Sequence, residues 1–299
     1  MRALKIAVSL GLLGLLIWWA DAGAVFDHLK GASVGWLSLA GLSLTALTFL
    51  MAKRWQIIAK GLNVEISYPR AVSEYYIAQL INLMLPGGVV GDIGRAVRVR
   101  NAGDLTRAAQ SVAVDRIVGQ AVMFAVLGAG LAVALVVPGG IAWPQMAWFG
   151  VAGAILVAMC AVVVSRQQGT TGRFVSFVLS LLKNLRLLIL GLVVTALLIF
   201  SLYACARATG TVVPPSGWVT LIPLILSAML IPLSIGGWGW REGAAAGLFP
   251  LIGASPSAGI AAGIAYGAMM MISAVPGLYF AMRAAASPRL TPHEQMEKS

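Results

Sequence analysis

The sequence predicts an all-α polytopic membrane protein, and three observations lead to this fold class. First, 60% of the 299 residues are hydrophobic and only 10% are charged, whereas a soluble domain usually carries about 25% charged residues. Second, several apolar runs reach the roughly 20 residues that a helix needs to cross a bilayer. Third, these runs are continuous and do not alternate every second residue, which favours helices over a closed β-barrel.

Six apolar segments have the length and composition of full membrane spans. They lie at roughly 4–20, 34–52, 109–137, 145–165, 187–206 and 257–282. The first resembles a signal peptide, but the bulky Trp18 and Trp19 are poor substitutes for the small residues of a cleavage site. We therefore interpret it as an uncleaved span that ends in interfacial tryptophans.

Two further apolar segments, 71–94 and 218–252, are each interrupted by glycine-rich sequence. Basic residues flank the first segment on both sides, which places both of its ends in the cytoplasm, and the remaining spans place both ends of the second segment outside. Each is therefore predicted to be a re-entrant helical hairpin. We expect the two tips, near Pro86 and Gly236, to meet close to the middle of the bilayer.

This order of elements predicts an inverted repeat. Residues 1–137 and 145–283 each contain two spans, a re-entrant hairpin and a third span, and an odd number of spans inverts the second half. Inverted repeats with broken helices are a recurring plan among secondary transporters. We expect residues 1–285 to form a single transmembrane domain, followed by a short polar tail at 286–299.

The first interruption, residues 82–95, reads NLMLPGGVVGDIGR. Proline and glycine break a helix and allow close approach of the backbone. The helix that resumes after Gly88 is expected to present free N–H groups, which favour an anion. Asp92 and Arg95 are three residues apart and therefore share one face of that helix.

The second interruption, residues 232–243, reads PLSIGGWGWREG and repeats this arrangement, with Arg241 and Glu242 as its charged pair. Charges at membrane depth are costly and indicate function, although ion pairs that only hold the hairpins together are the alternative. Asp115 and Arg116 form a third pair, which is either functional or an interfacial snorkelling pair. The candidate substrate-binding residues are Asn82, Gly87, Gly88, Asp92, Arg95, Asp115, Arg116, Ser234, Gly236, Gly237, Arg241 and Glu242.

We expect Arg95 and Arg241 to converge from the two halves. An unpaired arginine at membrane depth is expensive, so in the empty site each guanidinium should pair with a carboxylate, that of Asp92 or Glu242. An arriving phosphate can then replace a carboxylate, because the guanidinium binds both groups in a bidentate manner.

Metal, cofactor and nucleic-acid sites are not expected. No His, Cys and carboxylate residues have the spacing of metal ligands, and Cys160 and Cys205 lie far apart in apolar segments, which argues against a disulfide. The net charge of +11 comes from basic residues at helix ends rather than from a basic patch with interleaved aromatic residues.

Two motifs carry a family resemblance: Pro-Gly-Gly-x-x-Gly-Asp-x-x-Arg at 86–95 and Ile-Pro-x-Ser-Ile-Gly-Gly-x-Gly-x-Arg-Glu-Gly at 231–243. Both resemble the flippase-like family that forms the transmembrane region of lysylphosphatidylglycerol synthases, the multiple peptide resistance factors. The Asp115-Arg116 pair is similar to a weaker third motif. The resemblance extends over about residues 1–285 and implies a translocator that moves an anionic or modified lipid headgroup between leaflets.

The synthases that this chain resembles also carry a soluble aminoacyltransferase domain. Here only about fifteen polar residues follow Arg283, so lipid aminoacylation is not expected of this polypeptide alone.

We therefore expect a lipid flippase whose partner is a membrane phospholipid or a lipid-linked substrate. An ion-coupled secondary transporter of a small solute, a membrane enzyme and an accessory subunit of a lipid-synthesis complex are the alternatives. A lipid path needs a lateral opening between helices, whereas a solute site is closed to lipid. The sequence does not determine the lipid, the direction of transport, the coupling ion or whether the chain forms a homo-oligomer.

The distribution of basic residues predicts a bacterial-type cytoplasmic (inner) membrane protein with both termini in the cytoplasm. Of the 21 Lys and Arg residues, only Lys30 and Arg207 fall in predicted outer loops, and Arg116 and Arg241 fall at membrane depth. The loops predicted outside are 21–32, 138–144 and 207–217.

This orientation is testable by cysteine labelling. In a variant that lacks Cys160 and Cys205, a single cysteine at position 299 should stay unlabelled when intact cells are treated with a membrane-impermeant maleimide. Strong labelling of that cysteine would overturn the predicted topology.

Overall fold

The structure is a computed structural model that describes residues 2–85, 88–100, 104–136, 141, 143, 159–160, 162–167, 169–231 and 234–286. This part of the chain is helical and contains no β-strand, which confirms the all-α prediction for it. Most of the predicted span 145–165 and all but the first residue of the predicted tail 286–299 lie outside the described residues.

The helices are numbered in chain order through the described ranges. They are α1 (Arg2–Trp19), α2 (Ala22–Lys30), α3 (Val34–Gly61), α4 (Tyr68–Met84), α5 (Val90–Val99), α6 (Leu105–Val136), α7 (Thr170–Leu182), α8 (Leu185–Ala208), α9 (Pro215–Val219), α10 (Leu221–Ala228), α11 (Trp240–Leu248), α12 (Pro256–Ala274) and α13 (Pro276–Ala286). A short 3-10 helix, Phe249–Ile252, follows α11.

Four of these segments are long and apolar enough to cross a membrane: α3, α6, α8 and the combined α12–α13 segment Pro256–Ala286. They match four of the predicted spans. The span predicted at 34–52 is longer than expected, because α3 continues to Gly61. Lys53 and Arg54, which the sequence analysis assigned to a cytoplasmic loop, therefore belong to the helix.

The first predicted span is followed by a sharp bend. The helical residues Gly11–Trp19 meet α2 at an angle of 94°, so residues 22–30, predicted to lie in a loop, form a helix instead. Asp21 explains why α2 begins there: its carboxylate accepts hydrogen bonds from the backbone N–H groups of Gly23 and Ala24 at 3.0 and 3.4 Å. This is the capping interaction that Asp makes well.

The segment predicted as the first re-entrant hairpin consists of α4 and α5, which pack antiparallel. Contacts pair the end of α4 with the start of α5, at Asn82 and Gly91, and the start of α4 with the end of α5, at Glu74 and Arg98. The two helices approach closely at Gly91, where an added Cβ would lie 2.1 Å from the carbonyl oxygen of Ala78. Glycine therefore allows this hairpin to close.

The second hairpin consists of α10 and α11, joined by a glycine-rich turn. Gly236, Gly237 and Gly239 have φ angles of 56°, 82° and 89°, which only glycine adopts without cost. A Cβ built on Gly236 would lie 3.3 Å from the side chain of Leu83 at the end of α4. The end of α4 therefore contacts the second turn, whereas Pro86, the predicted tip of the first hairpin, lies outside the described residues.

Helix α11 packs against a row of glycines on α12. A Cβ added at Gly259 would lie 2.5 Å from the backbone of Ala245. At Gly263 it would lie 3.1 Å from the side chain of Glu242, and at Gly267 it would lie 2.5 Å from the guanidinium of Arg241. Because these glycines recur every fourth residue, they form one continuous groove along α12. Small residues at this spacing let membrane helices approach closely.

Helices α3 and α6 both contribute residues to the two main apolar clusters. Leu44 and Leu47 pack in a cluster with residues of α8, α10 and α12. Further along the same helix, Trp55 and Ala59 pack with residues of α4, α5 and α6. Both hairpins therefore pack against α3, the first near Trp55 and the second near Leu44.

Gly91→Ala should destabilise the protein, because its methyl group would collide with a backbone carbonyl that cannot rotate away. We expect a loss of about 1–3 kcal/mol in the free energy of unfolding, as for overpacked cores. Gly128→Ala is the matched control, since Gly128 is also helical and no atom of the described residues lies within 4 Å of the added Cβ. Alanine there should be neutral or stabilising by up to about 1 kcal/mol.

Equilibrium unfolding in mixed micelles measures both free energies. Equal stabilities of the Gly91 and Gly128 variants would show that the α4–α5 hairpin is not closely packed at this point.

Candidate functional site

A cavity of about 360 Å³ lies where the two hairpin turns meet. Its walls come from α3, α4, α5, α6, α8, α10 and α12, and from the turn between α10 and α11. Most of the wall is apolar, with Leu47, Met123 and Leu198 among its residues. The polar groups concentrate on the sides formed by α4, α5 and α6. A mostly apolar pocket with a few converging polar groups is the usual form of a ligand site.

The polar lining includes one cation that a ligand can reach. The side chain of Arg116 is 46% exposed, and it pairs with the carboxylate of Asp92 and donates to the carbonyl oxygen of Gly88 at 3.2 Å. Across the cavity, the buried hydroxyl of Ser234 has no hydrogen-bond partner among the described residues. An unpaired buried hydroxyl is costly, so a ligand that bonded to Ser234 would remove that cost.

Behind Arg116, charged side chains form a continuous chain into the protein. Asp92 lies 3.1 Å from Arg95, Arg95 lies 3.5 Å from Asp115, and Asp115 accepts a hydrogen bond from Arg54 at 2.8 Å. With Arg116 at its outer end, this charge chain contains three guanidinium groups and two carboxylates. Its formal charge is therefore +1.

Arg95 is the central member of the charge chain and is fully buried. Its guanidinium carbon lies 4.3 Å from the ring centre of Trp55 and 4.1 Å from that of Tyr75. Its Nε, Nη1 and Nη2 atoms make no well-directed hydrogen bond within the described structure. Aromatic faces and nearby carboxylates, rather than hydrogen bonds, therefore stabilise this cation.

Asp115, the carboxylate between Arg95 and Arg54 in the charge chain, joins four helices. It lies on α6, accepts from Arg54 of α3, pairs with Arg95 of α5, and accepts a hydrogen bond from the hydroxyl of Tyr75 of α4. Its side chain has no exposed surface. A buried carboxylate needs this many partners, because its desolvation is otherwise uncompensated.

The starts of α5 and α11 already have side-chain caps. The amide oxygen of Asn82 accepts from the backbone N–H of Gly91 at 2.7 Å, while its amide nitrogen donates to Asp92 at 3.1 Å. The carboxylate of Glu242 accepts from the N–H of Gly239 at 2.7 Å. The sequence analysis expected free N–H groups at both starts, and these two are occupied.

The charged pair of the second hairpin forms a separate, closed cluster. Arg241 and Glu242 are both fully buried and pair with each other. The guanidinium carbon of Arg241 lies 5.0 Å from the ring centre of Trp238 and 5.4 Å from that of Tyr266. The formal charge of the pair is zero, and neither of its members lines the cavity.

The predicted site residues thus divide into two sets. The cavity lining includes Asn82, Gly88, Asp92, Arg116, Ser234, Gly236 and Gly237. Four others are buried behind it, namely Arg95, Asp115, Arg241 and Glu242. Gly87 lies outside the described residues.

Two expectations about the charged pairs need correction. Asp115 and Arg116 do not form a pair with each other, because neighbouring residues on a helix point about 100° apart. Asp115 faces the protein interior and Arg116 faces the cavity. Arg95 and Arg241 each have the predicted carboxylate partner, but they lie in different clusters and neither guanidinium reaches the cavity.

The sequence analysis missed several members of the site. Arg54 and Arg98 were counted only as cytoplasmic charges, with no partner predicted for either; Arg54 is buried against Asp115, and Arg98 pairs with Glu74 at 2.6 Å. Glu74 offered a signal, since it is an isolated acid in an apolar segment. Tyr75 offered none, because aromatic residues are common in apolar segments. Among the described residues, no group of three His, Cys, Asp or Glu is placed to bind a metal.

Asp115→Asn should strongly destabilise the fold, because it removes the negative charge that two buried guanidiniums share. We expect a loss of about 3–5 kcal/mol in the free energy of unfolding. Asp104→Asn is the matched control: Asp104 pairs with Arg107 at the exposed start of α6, and such pairs contribute about 0.2–1 kcal/mol. Comparable losses in both variants would contradict the role assigned to Asp115.

Comparison with known proteins agrees with the resemblance of the motifs. A family model described as the lysylphosphatidylglycerol synthase TM region matches residues 2–277. The chain is 26% identical over 122 residues to a UPF0104 membrane protein of Pyrococcus horikoshii, and this match covers 39% of the chain and 36% of that protein. Since the family model matches nearly the whole sequence, the chain belongs to the family of the lysylphosphatidylglycerol synthase transmembrane region.

Proposed function

We propose that the protein is a lipid translocator that holds an anionic headgroup in the cavity between its two hairpins. The observation that carries this proposal is the accessible guanidinium of Arg116 at the end of a charge chain with an unbalanced positive charge. A phosphate or phosphodiester group is the ligand chemistry that such a site favours, because guanidinium binds its oxygens in a bidentate manner.

The charge balance supports an anion in particular. Three guanidiniums share two carboxylates in the charge chain, and the surrounding wall is mostly apolar. In surroundings of low dielectric constant, an unbalanced charge attracts a counter-ion more strongly than it does in water. A monoanionic headgroup would bring the formal charge of the chain to zero.

The rim of the cavity supports a lipid over a small solute. Val89, Leu230 and Ile231 line the cavity, yet they are 52%, 41% and 36% exposed. The cavity therefore reaches the apolar outer surface of the protein between the two hairpin turns. A lipid can place its headgroup on the polar side while its acyl chains leave through this apolar rim, whereas a solute transporter requires a site closed to lipid.

The contacts of Asp92 suggest how the headgroup is accepted. Asp92 is shared between Arg116 and Arg95, and it also accepts a hydrogen bond from the amide of Asn82. A phosphate oxygen can replace Asp92 at Arg116 while Asp92 keeps its other two partners. The unpaired hydroxyl of Ser234 supplies a donor from the second hairpin.

In this proposal Arg95 and Arg241 have supporting roles. Arg95 holds Asp92 in place, and Arg241 with Glu242 fixes the second hairpin against α12. The sequence led us to expect that Arg95 and Arg241 contact the headgroup, and we now assign this contact to Arg116.

The two hairpins have similar motifs, but their charged groups differ in net formal charge. In the first, the charge chain is unbalanced and ends in the cavity. In the second, Arg241 and Glu242 neutralise each other, and the glycine groove of α12 brings its backbone close to both. A closed neutral pair stabilises one packing arrangement, whereas an open and unbalanced chain leaves a charge for a ligand. The assignment of one hairpin to binding and the other to support rests on this difference.

The proposal includes the predicted topology. Each half contains a hairpin, α4–α5 or α10–α11, that is followed by a long helix, α6 or α12. We infer that both hairpins are re-entrant, that the halves are inverted repeats with six spans in total, and that both termini lie in the cytoplasm of a bacterial-type cell. The turns would then meet near the middle of the inner membrane, where only a protein-lined or water-lined cavity tolerates broken helices.

Arg116→Gln should reduce transport of a fluorescent anionic phospholipid in reconstituted vesicles by at least about tenfold, the loss expected for one charge-assisted interaction of about 1.4 kcal/mol or more. Arg116→Lys should retain part of the rate, because a point charge replaces the planar fork. The measurement is the rate at which labelled lipid becomes accessible to a membrane-impermeant quencher.

Arg107→Gln is the matched control, since Arg107 is an exposed cation on the same helix whose ion-pair partner, at 2.8 Å, is Asp104. It should transport lipid at the wild-type rate. If Arg116→Gln also kept the wild-type rate, the headgroup site would be elsewhere. If the wild-type protein moved no lipid but carried a soluble anion, the solute alternative would replace this proposal.

A further inference from the structure

A second cavity, of about 670 Å³, lies at the end of the molecule where α2, the start of α3 and the end of α8 come together. Its lining includes Asp27, His28, Trp36 and Arg207. Along α3, Trp36 precedes Leu44 of the central cavity by eight residues, or about 12 Å of helix. The two cavities have no lining residue in common.

Hydrogen bonds between distant parts of the chain hold the walls of this cavity together. The imidazole Nδ1 of His28 lies 3.0 Å from the carbonyl oxygen of Thr209, and the N–H of Ser33 donates to the carbonyl oxygen of Ala208 at 2.9 Å. Both bonds connect the α2–α3 region to the end of α8. The cavity is therefore formed by the fold itself and does not depend on a ligand to bring its walls together.

The lining contains two opposite charges that do not pair with each other. The guanidinium of Arg207 lies over the ring of Trp36, at 5.3 Å from the ring centre, and its Nε atom is buried without a hydrogen-bond partner in the described structure. The carboxylate of Asp27 is exposed and has no ion pair or hydrogen bond among the described residues. Each charge is thus available to a ligand.

We propose that this cavity binds a zwitterion that carries a phosphate and an ammonium group, of the phosphoethanolamine type. Arg207 would bind the phosphate, and Asp27 would bind the ammonium. Trp36 holds the guanidinium from one side, so that its hydrogen-bonding edge stays free for the phosphate. The site does not depend on the proposed translocation, because it lies apart from the central cavity and its residues take no part in the charge chain there.

Two sources of this chemistry can be separated: a phospholipid headgroup and a water-soluble phosphodiester. Binding is measured by isothermal titration calorimetry of the full-length protein in maltoside micelles. The probes are dihexanoylphosphatidylethanolamine, acyl-free glycerophosphoethanolamine and the anionic dihexanoylphosphatidylglycerol. Empty micelles serve as the blank for each lipid probe.

Arg207→Gln and Asp27→Asn should each weaken binding of dihexanoylphosphatidylethanolamine by about two- to fivefold, because each removes one of two exposed or half-exposed charge contacts. Asp27→Asn should not weaken binding of the phosphatidylglycerol probe, which has no ammonium group, whereas Arg207→Gln should. Lys30→Gln is the matched control, since Lys30 is exposed nearby but does not line the cavity, and it should change nothing.

Binding of both ethanolamine probes supports the site and identifies the headgroup as sufficient. Binding of the lipid probe alone supports it and identifies a lipid as the source. Equal affinity of the wild type and both charge variants for dihexanoylphosphatidylethanolamine would overturn the proposal. It would also be overturned if neither of the two ethanolamine probes bound. Arg207→Lys keeps the charge and separates the loss of a contact from a loss of folding, which the thermal midpoint of each variant also reports.

Discussion

The first half of the structure depends on the ion pairs and hydrogen bonds of one buried carboxylate, that of Asp115. It connects α6, where it lies, with Arg54 of α3, Tyr75 of α4 and Arg95 of α5. An ion in such a place is stable only when its partners replace the water that it has lost. Each of these helices is therefore held in the one arrangement that brings its side chain to Asp115.

The position of the central cavity follows from this arrangement. Because Arg95 is held between Asp115 and two aromatic rings, α5 has little freedom to rotate, and Asp92 one turn earlier must face α6. There it meets Arg116, which occupies the next position after Asp115 on α6. One dipeptide thus supplies both the most deeply buried carboxylate of the charge chain and its accessible end, since neighbouring helical side chains point about 100° apart.

The sequence predicted the features that follow from local chemistry: the breaks within both hairpins, and the ion pair between Asp92 and Arg95. It could not show which partners the fold brings from a distance. Arg54 was assigned to the cytoplasm because it follows a long apolar run, yet an acid 61 residues away draws it into the interior. Free N–H groups are a general property of helix starts, but Asn82 occupies the N–H of Gly91 because the hairpin folds back on itself.

The charge balance of the central cavity explains why its cation stays partly exposed. A fully buried guanidinium with no spare carboxylate would be costly, and the two carboxylates of the charge chain are already shared with Arg54 and Arg95. Arg116 avoids this cost because nearly half of its side chain remains exposed. A bound headgroup would cover that exposed part and supply the missing negative charge at the same time. Burial of the cation and binding of the anion are therefore coupled, which is the property that a site needs to take up a charged headgroup within an otherwise apolar wall.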